Sequence, residues 1–426
     1  MNYFVLHNYC YISWGACKAA VYDVLQKRIF WIEDPEHQLF LKQSQQGMSI
    51  EEISRSFGLE ENELFQYTDL LRQLDLGTIY DRPKVSTKFR PFVHNHLVEK
   101  NGYYRPLSTV TIEMASECKK NCSFCDFKKR FATLECACGC YSDTTRITYN
   151  IAGLLKSLSF AKPGRLELMG GDPFTHKEDL YEILKYASEF HIPVTVKTSG
   201  MLVEETDIKQ LKRNQVHLSL IVTGFNPAKG REEVSGLMRI LGWAAKYDFT
   251  DLDIVLLLDE HQLKNRDEIQ QWLSEYYLTV SCMSCCYPME MIVPEKSAQL
   301  EHLSPFLFTR HYHFAIDIDG LARQLNGHSC WQDRICIMQD GEVRPCIAAS
   351  DISYGNVNEK NILNIIREGR STEVIKERNC SVESCSGCEF ALGCSSCVIA
   401  TRKIRGSYQS KAWNCTYQPE SGKFGK

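Results

Sequence analysis

Three cysteines in one short run, Cys118-x3-Cys122-x2-Cys125, are the first residues whose types and spacing could do chemistry. Three thiolates on one loop can hold three irons of a cubane and leave the fourth iron open, whereas a structural zinc site wants a fourth protein ligand nearby. Cys136, Cys138 and Cys140 are close enough in sequence to supply one, so this run alone leaves zinc in play. A second motif, Met169-Gly170-Gly171-Asp172-Pro173, directly follows a strand-like run. Glycine there lets the backbone approach a ligand closely with no Cβ in the way, and proline fixes the turn. Lys197-Thr198-Ser199-Gly200 and Ser219-Leu220-Ile221-Val222-Thr223-Gly224 stand at two further strand ends, where parallel α/β folds keep their chemistry.

A second cysteine array lies near the C-terminus: Cys330-x5-Cys336-x4-Gly341-x4-Cys346, then Cys385-x2-Cys388-x5-Cys394-x2-Cys397, then Cys415. Twenty cysteines in 426 residues is several times ordinary usage, and a chain of this size does not need disulfide staples. Met1 to Ala20 is interrupted by His7, Asn8, Ser13 and Lys18, which argues against a secretion signal. The longest apolar runs, such as Ile254 to Leu258, are strand-length, so no membrane span is expected. A cytoplasmic, reducing location follows, in which such spacings read as thiolate ligands for metal. Hydrophobic residues at 44% and a net charge of −4 exclude a disordered chain and a generally basic nucleic-acid binder.

The elements that must position these groups fall into three parts. Residues 1–95 begin with strand-like Phe4 to Ser13 and Ala19 to Trp31 around Gly15, read as a hairpin. Helical periods follow over His37 to Gln46, Ser49 to Phe57 and Glu60 to Leu76, with Ser49 and Glu52 forming a capping box and Gly58 a stop. Residues 106–300 alternate strands at Thr109–Met114, Arg165–Met169, Pro193–Lys197, Val216–Val222 and Leu252–Leu258 with helices, which predicts a parallel α/β barrel or open sheet. Residues 316–426 are poor in periodicity and rich in cysteine, a composition that metal ligation can order.

The Cys118–Cys125 spacing, Phe124 before its last cysteine and its place after the first barrel strand resemble the radical S-adenosylmethionine (radical SAM) family. The Gly170-Gly171-Asp172-Pro173 loop is similar to that family's Gly-Gly-Glu-Pro, with Asp for Glu. The resemblance implies a partial (β/α)6 barrel, a 4Fe-4S cluster on Cys118, Cys122 and Cys125, and S-adenosyl-L-methionine held by Gly170, Gly171, Asp172, Pro173, Thr198 and Ser219, the last toward its carboxylate. The C-terminal array resembles the SPASM extension of peptide-modifying radical enzymes, which carries two auxiliary 4Fe-4S clusters. By that pattern Cys330, Cys336, Cys346 and Cys397 hold the first and Cys385, Cys388, Cys394 and Cys415 the second. Two gaps depart from the pattern: Cys394 to Cys397 and Cys336 to Gly341 are both shorter than usual. A zinc ribbon is the alternative, but local cysteine pairs leave the interleaving unexplained.

The N-terminal order resembles the winged-helix element that holds the leader of a precursor peptide, Met48 to Gly58 being close to its second helix. A DNA-binding winged helix is the alternative. From Gln38 to Tyr80 the basic residues are Lys42, Arg55 and Arg72, against Glu51, Glu52, Glu60, Glu61, Glu63, Asp69 and Asp75, which is poor in phosphate contacts. The resemblance therefore implies a maturase that modifies a side chain of a ribosomally made peptide, supplied with electrons by a donor such as flavodoxin or ferredoxin. A sulfatase maturase is disfavoured by Ile347 after Cys346, where those enzymes place Asp. The N-terminal region disfavours a small-molecule radical dehydrogenase, and the Gly170 loop disfavours a zinc-ribbon regulator with a winged helix. For Cys10, Cys17 and Cys380 ordinary packing is the reading; Cys136, Cys138, Cys140, Cys282, Cys285 and Cys286 leave open a further metal or thiol site.

Overall fold

A turn held by Asp23 sets the shape of the N-terminal region. In the computed structural model, which describes residues 1–84, 107–115, 146–223, 235–258, 271, 280–285, 314, 316–328, 330–331, 333–369, 382–394, 397–412 and 415–424, this side chain is fully buried. It accepts hydrogen bonds from the backbone of Leu25 and Gln26 and an ion pair from Arg28 at 2.6 Å. Ala19 to Trp31 is therefore two strands rather than one, and a second turn, where Cys10 N donates to His7 O, likewise divides Phe4 to Ser13. In place of the expected hairpin stand β1 (Tyr3–Leu6) and an antiparallel meander of β2 (Cys10–Trp14), β3 (Ala19–Asp23) and β4 (Arg28–Ile32). The helices α1 (Pro35–Ser44), α2 (Ile50–Phe57) and α3 (Glu61–Gln73) match the periodicity. Asp34 caps α1 ahead of Pro35, the Ser49–Glu52 capping box starts α2, and Gly58 at φ 70° ends it. The chain then adds β5 (Gly77–Tyr80), which pairs antiparallel with β1. Phe4, Phe40, Leu41, Ile50, Ile53 and Leu71 close the core among these elements.

The described chain forms two compact units: Met1–Val93 with Glu301–Cys330 and Lys376–Lys426, and His94–Leu300 with Trp331–Ile375. The second unit is built on a nine-stranded sheet. Six strands run parallel in sequence order: β6 (Thr109–Glu113), β7 (Arg165–Met169), β8 (Val194–Thr198), β9 (His217–Thr223), β10 (Leu252–Leu258) and β11 (Val280–Cys285). Between successive strands lie α4 (Ile151–Ala161), α5 (Lys177–Glu189), α6 (Glu205–Arg213) and α7 (Ser235–Lys246). The α/β class and the parallel array are as the sequence predicts; β11, which carries Cys282 and Cys285, is a strand beyond those expected. No described helix is long and apolar enough to cross a membrane.

Past β11, α8 (Ile318–Asn326) belongs to the first unit. The chain then returns to the sheet with β12 (Arg334–Ile337) parallel to β6, and turns back through β13 (Glu342–Arg344) and β14 (Gly355–Asn356), followed by α9 (Ile362–Gly369). The tail, with α10 (Val398–Arg405) and the short pair β15 (Tyr417–Gln418) and β16 (Lys423–Phe424), rejoins the first unit.

At the start of β9, His217 lies 2.6 Å from Asp251 and 3.5 Å from Asp253. Hydrogen bonding to Asp253 and Asp251, opposed by partial burial, raises the imidazole to about 9 from its ordinary 6.5. A raised folded-state value means that the stabilisation is complete below about 6.5 and is lost as pH climbs through about 9. The urea midpoint of the anaerobic protein should fall across that window, and His217→Asn should flatten the fall; equal slopes in both proteins would count against the ion pair.

Candidate active site and cluster-binding cysteines

Register assigns the two faces of the parallel sheet different chemistry, because paired residues of parallel strands point the same way. One face carries Val110, Ile112, Leu166, Leu168, Val196, Leu218, Leu220 and Ile254, all at most 1% exposed. Sequential strand order with right-handed crossovers puts the helices on this side. The other face is polar. Cys336, Thr111, Glu167, Thr195 and His217 are linked in register as one row. One step toward the strand ends, Glu113 pairs with Met169, and Lys197 pairs with Ser219, which pairs with Asp253. Lys197 Nζ lies 3.1 Å from Glu167, and Arg165 lies 3.0 Å from its other oxygen. Burial opposes ionisation of Glu167, but Lys197, Arg165 and Arg334 outweigh it and hold the carboxyl below its ordinary range. Sequence reasoning passed over Thr111, Glu167, Thr195 and His217, although their alternation with the apolar residues is plain in the strands.

Above the row, the strand-end loops are tied together by Asp172. Its carboxylate, 1% exposed, accepts from Thr198 Oγ1 at 2.9 and 3.0 Å, from Ser199 Oγ at 2.7 Å and from Phe174 N at 3.1 Å. Asp172 thereby caps the 3-10 turn Pro173–His176 and fixes the loop after β7 to the loop after β8. Gly170 and Gly171 have φ of 95° and 55°, the left-handed region that glycine enters without a steric cost. Gly170 O accepts from Ala115 N at 3.2 Å and Met169 O from Met114 N at 2.7 Å, so the chain leaving β6 toward Cys118 is anchored to the same loop. The structure thus brings Gly170, Gly171, Asp172, Pro173 and Thr198 together, and buries Ser219 in the neighbouring strand. Cys118, Cys122 and Cys125 lie outside the described residues, as do Cys136, Cys138, Cys140, Cys286 and Cys380.

The pattern of the radical SAM superfamily matches residues 112–273, from the end of β6 through β10. The chain carries a radical SAM domain. A SPASM iron-sulfur cluster-binding domain matches residues 330–389. S-adenosylmethionine (AdoMet) and iron-sulfur clusters are therefore its cofactors. No curated protein matches the chain in sequence. In structure it is similar to polyhistidine-tagged anSMEcpe with bound AdoMet, at 17% identity and TM-score 0.51, over 72% of this chain and 90% of that one. Native anSMEcpe with bound AdoMet and Cp18Cys peptide gives 16% identity and TM-score 0.51, over 72% and 93%. SuiB of Streptococcus suis bound to precursor peptide SuiA gives 13% identity and TM-score 0.46, over 96% and 98%.

The SPASM cysteines fall in both units. In the second, Cys336 is fully buried on β12, beside Met169, Met338 and Ile347. It pairs across the β12–β13 hairpin with Arg344, two residues before Cys346, so both sulfur-bearing positions belong to one hairpin. In the first unit, Cys330 and Cys397 are half-buried, and Cys397 O accepts from Thr401 N at the start of α10. Cys385, Cys388, Cys394 and Cys415 are gathered in the same unit close enough for their charges to act on one another. Among the described residues no three His, Cys, Asp or Glu side chains close on a single metal-ion position. Four thiols spread around one apolar pocket suit a cubane, which takes one thiolate per iron. Phe314, Phe390 and Tyr417 form the core against which Cys388, Cys394 and Cys415 pack. Burial raises all three of Cys385, Cys388 and Cys394, with Cys388 pushed up to about 12.

Asp172 gives this site its simplest test. Asp172→Ala leaves the buried Thr198 hydroxyl and the half-buried Ser199 hydroxyl without their acceptor and should destabilise the protein by about 1–3 kcal/mol. AdoMet binding measured by equilibrium dialysis should weaken several-fold; unchanged affinity and urea midpoint would show that the loops do not depend on this carboxylate.

Proposed function

We propose that the chain is a peptide maturase: it holds a ribosomally made precursor through its leader and modifies one of its side chains oxidatively. The observation that carries this reading is the N-terminal domain itself. A three-stranded meander followed by three helices, with few basic residues, is suited to an extended peptide rather than to a phosphate backbone. In the meander order β2-β3-β4 the two outer strands are edges. The turn just past β2 is engaged, Ala16 N donating to Gly387 O, so the leader strand is assigned to the β4 side of the meander. The fold also accommodates a peptide beside AdoMet, as in anSMEcpe with its Cp18Cys peptide.

In this reading Cys118, Cys122 and Cys125 hold the cluster at the end of β6, and Gly170, Gly171, Asp172, Pro173, Thr198 and Ser219 hold AdoMet. Bound there, these cofactors would supply hydrogen-atom abstraction from carbon once a donor provides one electron. The residues of the chain do the rest. Asp172 fixes the relative position of two AdoMet-facing loops, and the Arg165–Glu167–Lys197 row gives the polar face a set of compensated charges. Cys330, Cys336, Cys346 and Cys397 are assigned to the first auxiliary cluster and Cys385, Cys388, Cys394 and Cys415 to the second, whose full ligation suits an outcome in which an electron leaves the substrate. A flavodoxin- or ferredoxin-like donor in a reducing cytoplasm completes the cycle.

Anaerobically reconstituted protein should hold about twelve irons, three cubanes of four. Replacing Cys118, Cys122 and Cys125 together by Ala should remove about four and abolish AdoMet cleavage while sparing the auxiliary clusters. Near-zero iron with stoichiometric zinc would overturn the assignment. Hydrogen exchange should slow over Arg28–Ile32 when the precursor peptide encoded beside this chain is added, and mass spectrometry should find that peptide shortened by hydrogens or cross-linked. An unmodified peptide and unchanged exchange in β4 would end the maturase reading.

A further inference from the structure

The first unit joins two stretches of chain that the sequence presents as separate domains, and the joint lies on the loop carrying Cys388 and Cys394. Ser13 Oγ donates to Cys388 O at 3.3 Å, Ala16 N to Gly387 O at 2.9 Å, and Tyr22 OH to Glu389 O at 2.7 Å. The Trp31 ring meets that of Phe390 with centroids 4.7 Å apart, and Phe390 stands edge-on to Tyr417 at 4.6 Å. Tyr22, fully buried, shares a core with Ala20, Val24, Ile316 and Leu321. From the other side Gln324 Nε2 of α8 donates to Cys394 O at 2.7 Å. Residues more than 300 positions upstream thus fix the backbone at Gly387, Cys388 and Glu389. The backbone packs too closely for insertion: a Cβ on Gly15 would collide with the Glu389 carboxylate, and one on Gly393 with the Phe314 carbonyl.

We propose that the N-terminal meander is a structural half of the second auxiliary-cluster site, with Tyr22 and Trp31 as positioning residues for the Cys388–Cys394 loop. The inference rests on the reading that Cys385, Cys388, Cys394 and Cys415 hold a cluster, and adds to the meander a task that peptide binding does not require. Hydrogen bonds to three successive carbonyls and tilted aromatic contacts hold the loop in one shape, so the thiols would meet the irons with little ordering left to do. A strand edge used by a peptide and a cluster loop then belong to one packed body, and neither can be removed without exposing the other's core.

The test uses the full-length, anaerobically reconstituted protein. Trp31→Ala should lower iron by about four per chain and remove the electron paramagnetic resonance signal of the second cluster, while 5′-deoxyadenosine still forms. Tyr22→Phe keeps the ring in the core and deletes one hydroxyl; it should retain iron but shift the g values or midpoint potential of that cluster alone. Leu70→Ala on α3, where the side chain is 49% exposed, should leave iron and spectrum unchanged. The proposal is overturned if Tyr22→Phe and Trp31→Ala both keep the wild-type iron content and second-cluster spectrum. Should Trp31→Ala misfold and lose all its iron, Tyr22→Phe decides alone: a shifted second-cluster spectrum supports the proposal and a wild-type one overturns it. Cys388→Ala separates the underlying reading: if it leaves iron and spectrum as in wild type, there is no second cluster on these cysteines and the proposal falls with it.

Discussion

Right-handed crossovers between six consecutive parallel strands are the constraint from which the second unit follows. They commit the described crossover helices α4 to α7 to one side of the sheet, and that side must be apolar. The opposite face is freed of that demand, which is why Glu113, Glu167, Lys197, Ser219 and Asp253 can occupy positions that would be Val, Ile or Leu in a sheet covered on both sides. A polar face of this kind survives only with its charges compensated, and the Lys197 and Arg165 contacts to Glu167 meet that condition. The strand ends then need a rigid rim. Asp172 supplies it by receiving donors from two consecutive strand-end loops, a task for which a short acidic side chain on a glycine turn is well sized.

The first unit works under a different constraint, because its C-terminal stretch has little regular structure to hold it. Between Val382 and Phe424 the described chain has one helix of eight residues, α10, one short 3-10 turn and two two-residue strands. The order comes from rings and thiols: Phe390 touches Trp31, Phe314, Tyr417 and Phe424 at centroid distances of 4.7, 4.2, 4.6 and 6.0 Å. Glu389, fully buried beside Cys388, accepts from the Tyr417 hydroxyl, which fixes the β15–β16 hairpin near Cys415 to the same loop.

What was legible in the sequence was local or periodic. The Ser49–Glu52 box, the Gly58 stop and the strands β6 to β10 were read at nearly their true bounds, because hydrogen bonds within a turn and alternation within a strand are written in neighbouring residues. The Gly170 loop and the cysteine arrays were legible for the same reason. The split of Ala19–Trp31 depended on Asp23 capturing Leu25, Gln26 and Arg28 at once, and a β-rich run gives no sign of which carboxylate turns inward. β5 pairs with β1 across more than 70 residues, and β12 joins β6 across more than 220. Neither partnership leaves a trace in a window of about ten residues, and so the Cys-rich extension read as a separate block although part of it continues the barrel sheet.

The two constraints also differ in what they ask of the solvent. On the barrel's polar face the charges are paired, and the site can be complete before any ligand arrives. Around Cys388 and Cys394 burial in an apolar shell disfavours the thiolate and raises both thiols, Cys388 to about 12. Removing a proton from so dry a place is unfavourable, which slows reactions that begin from a thiolate. The same dryness makes the pocket dependent on its walls. A wall residue lost to solvent admits water and lowers the cost of the free thiolate, so the aromatic packing that shields these cysteines sets both how readily they stay reduced and how firmly the loop is held.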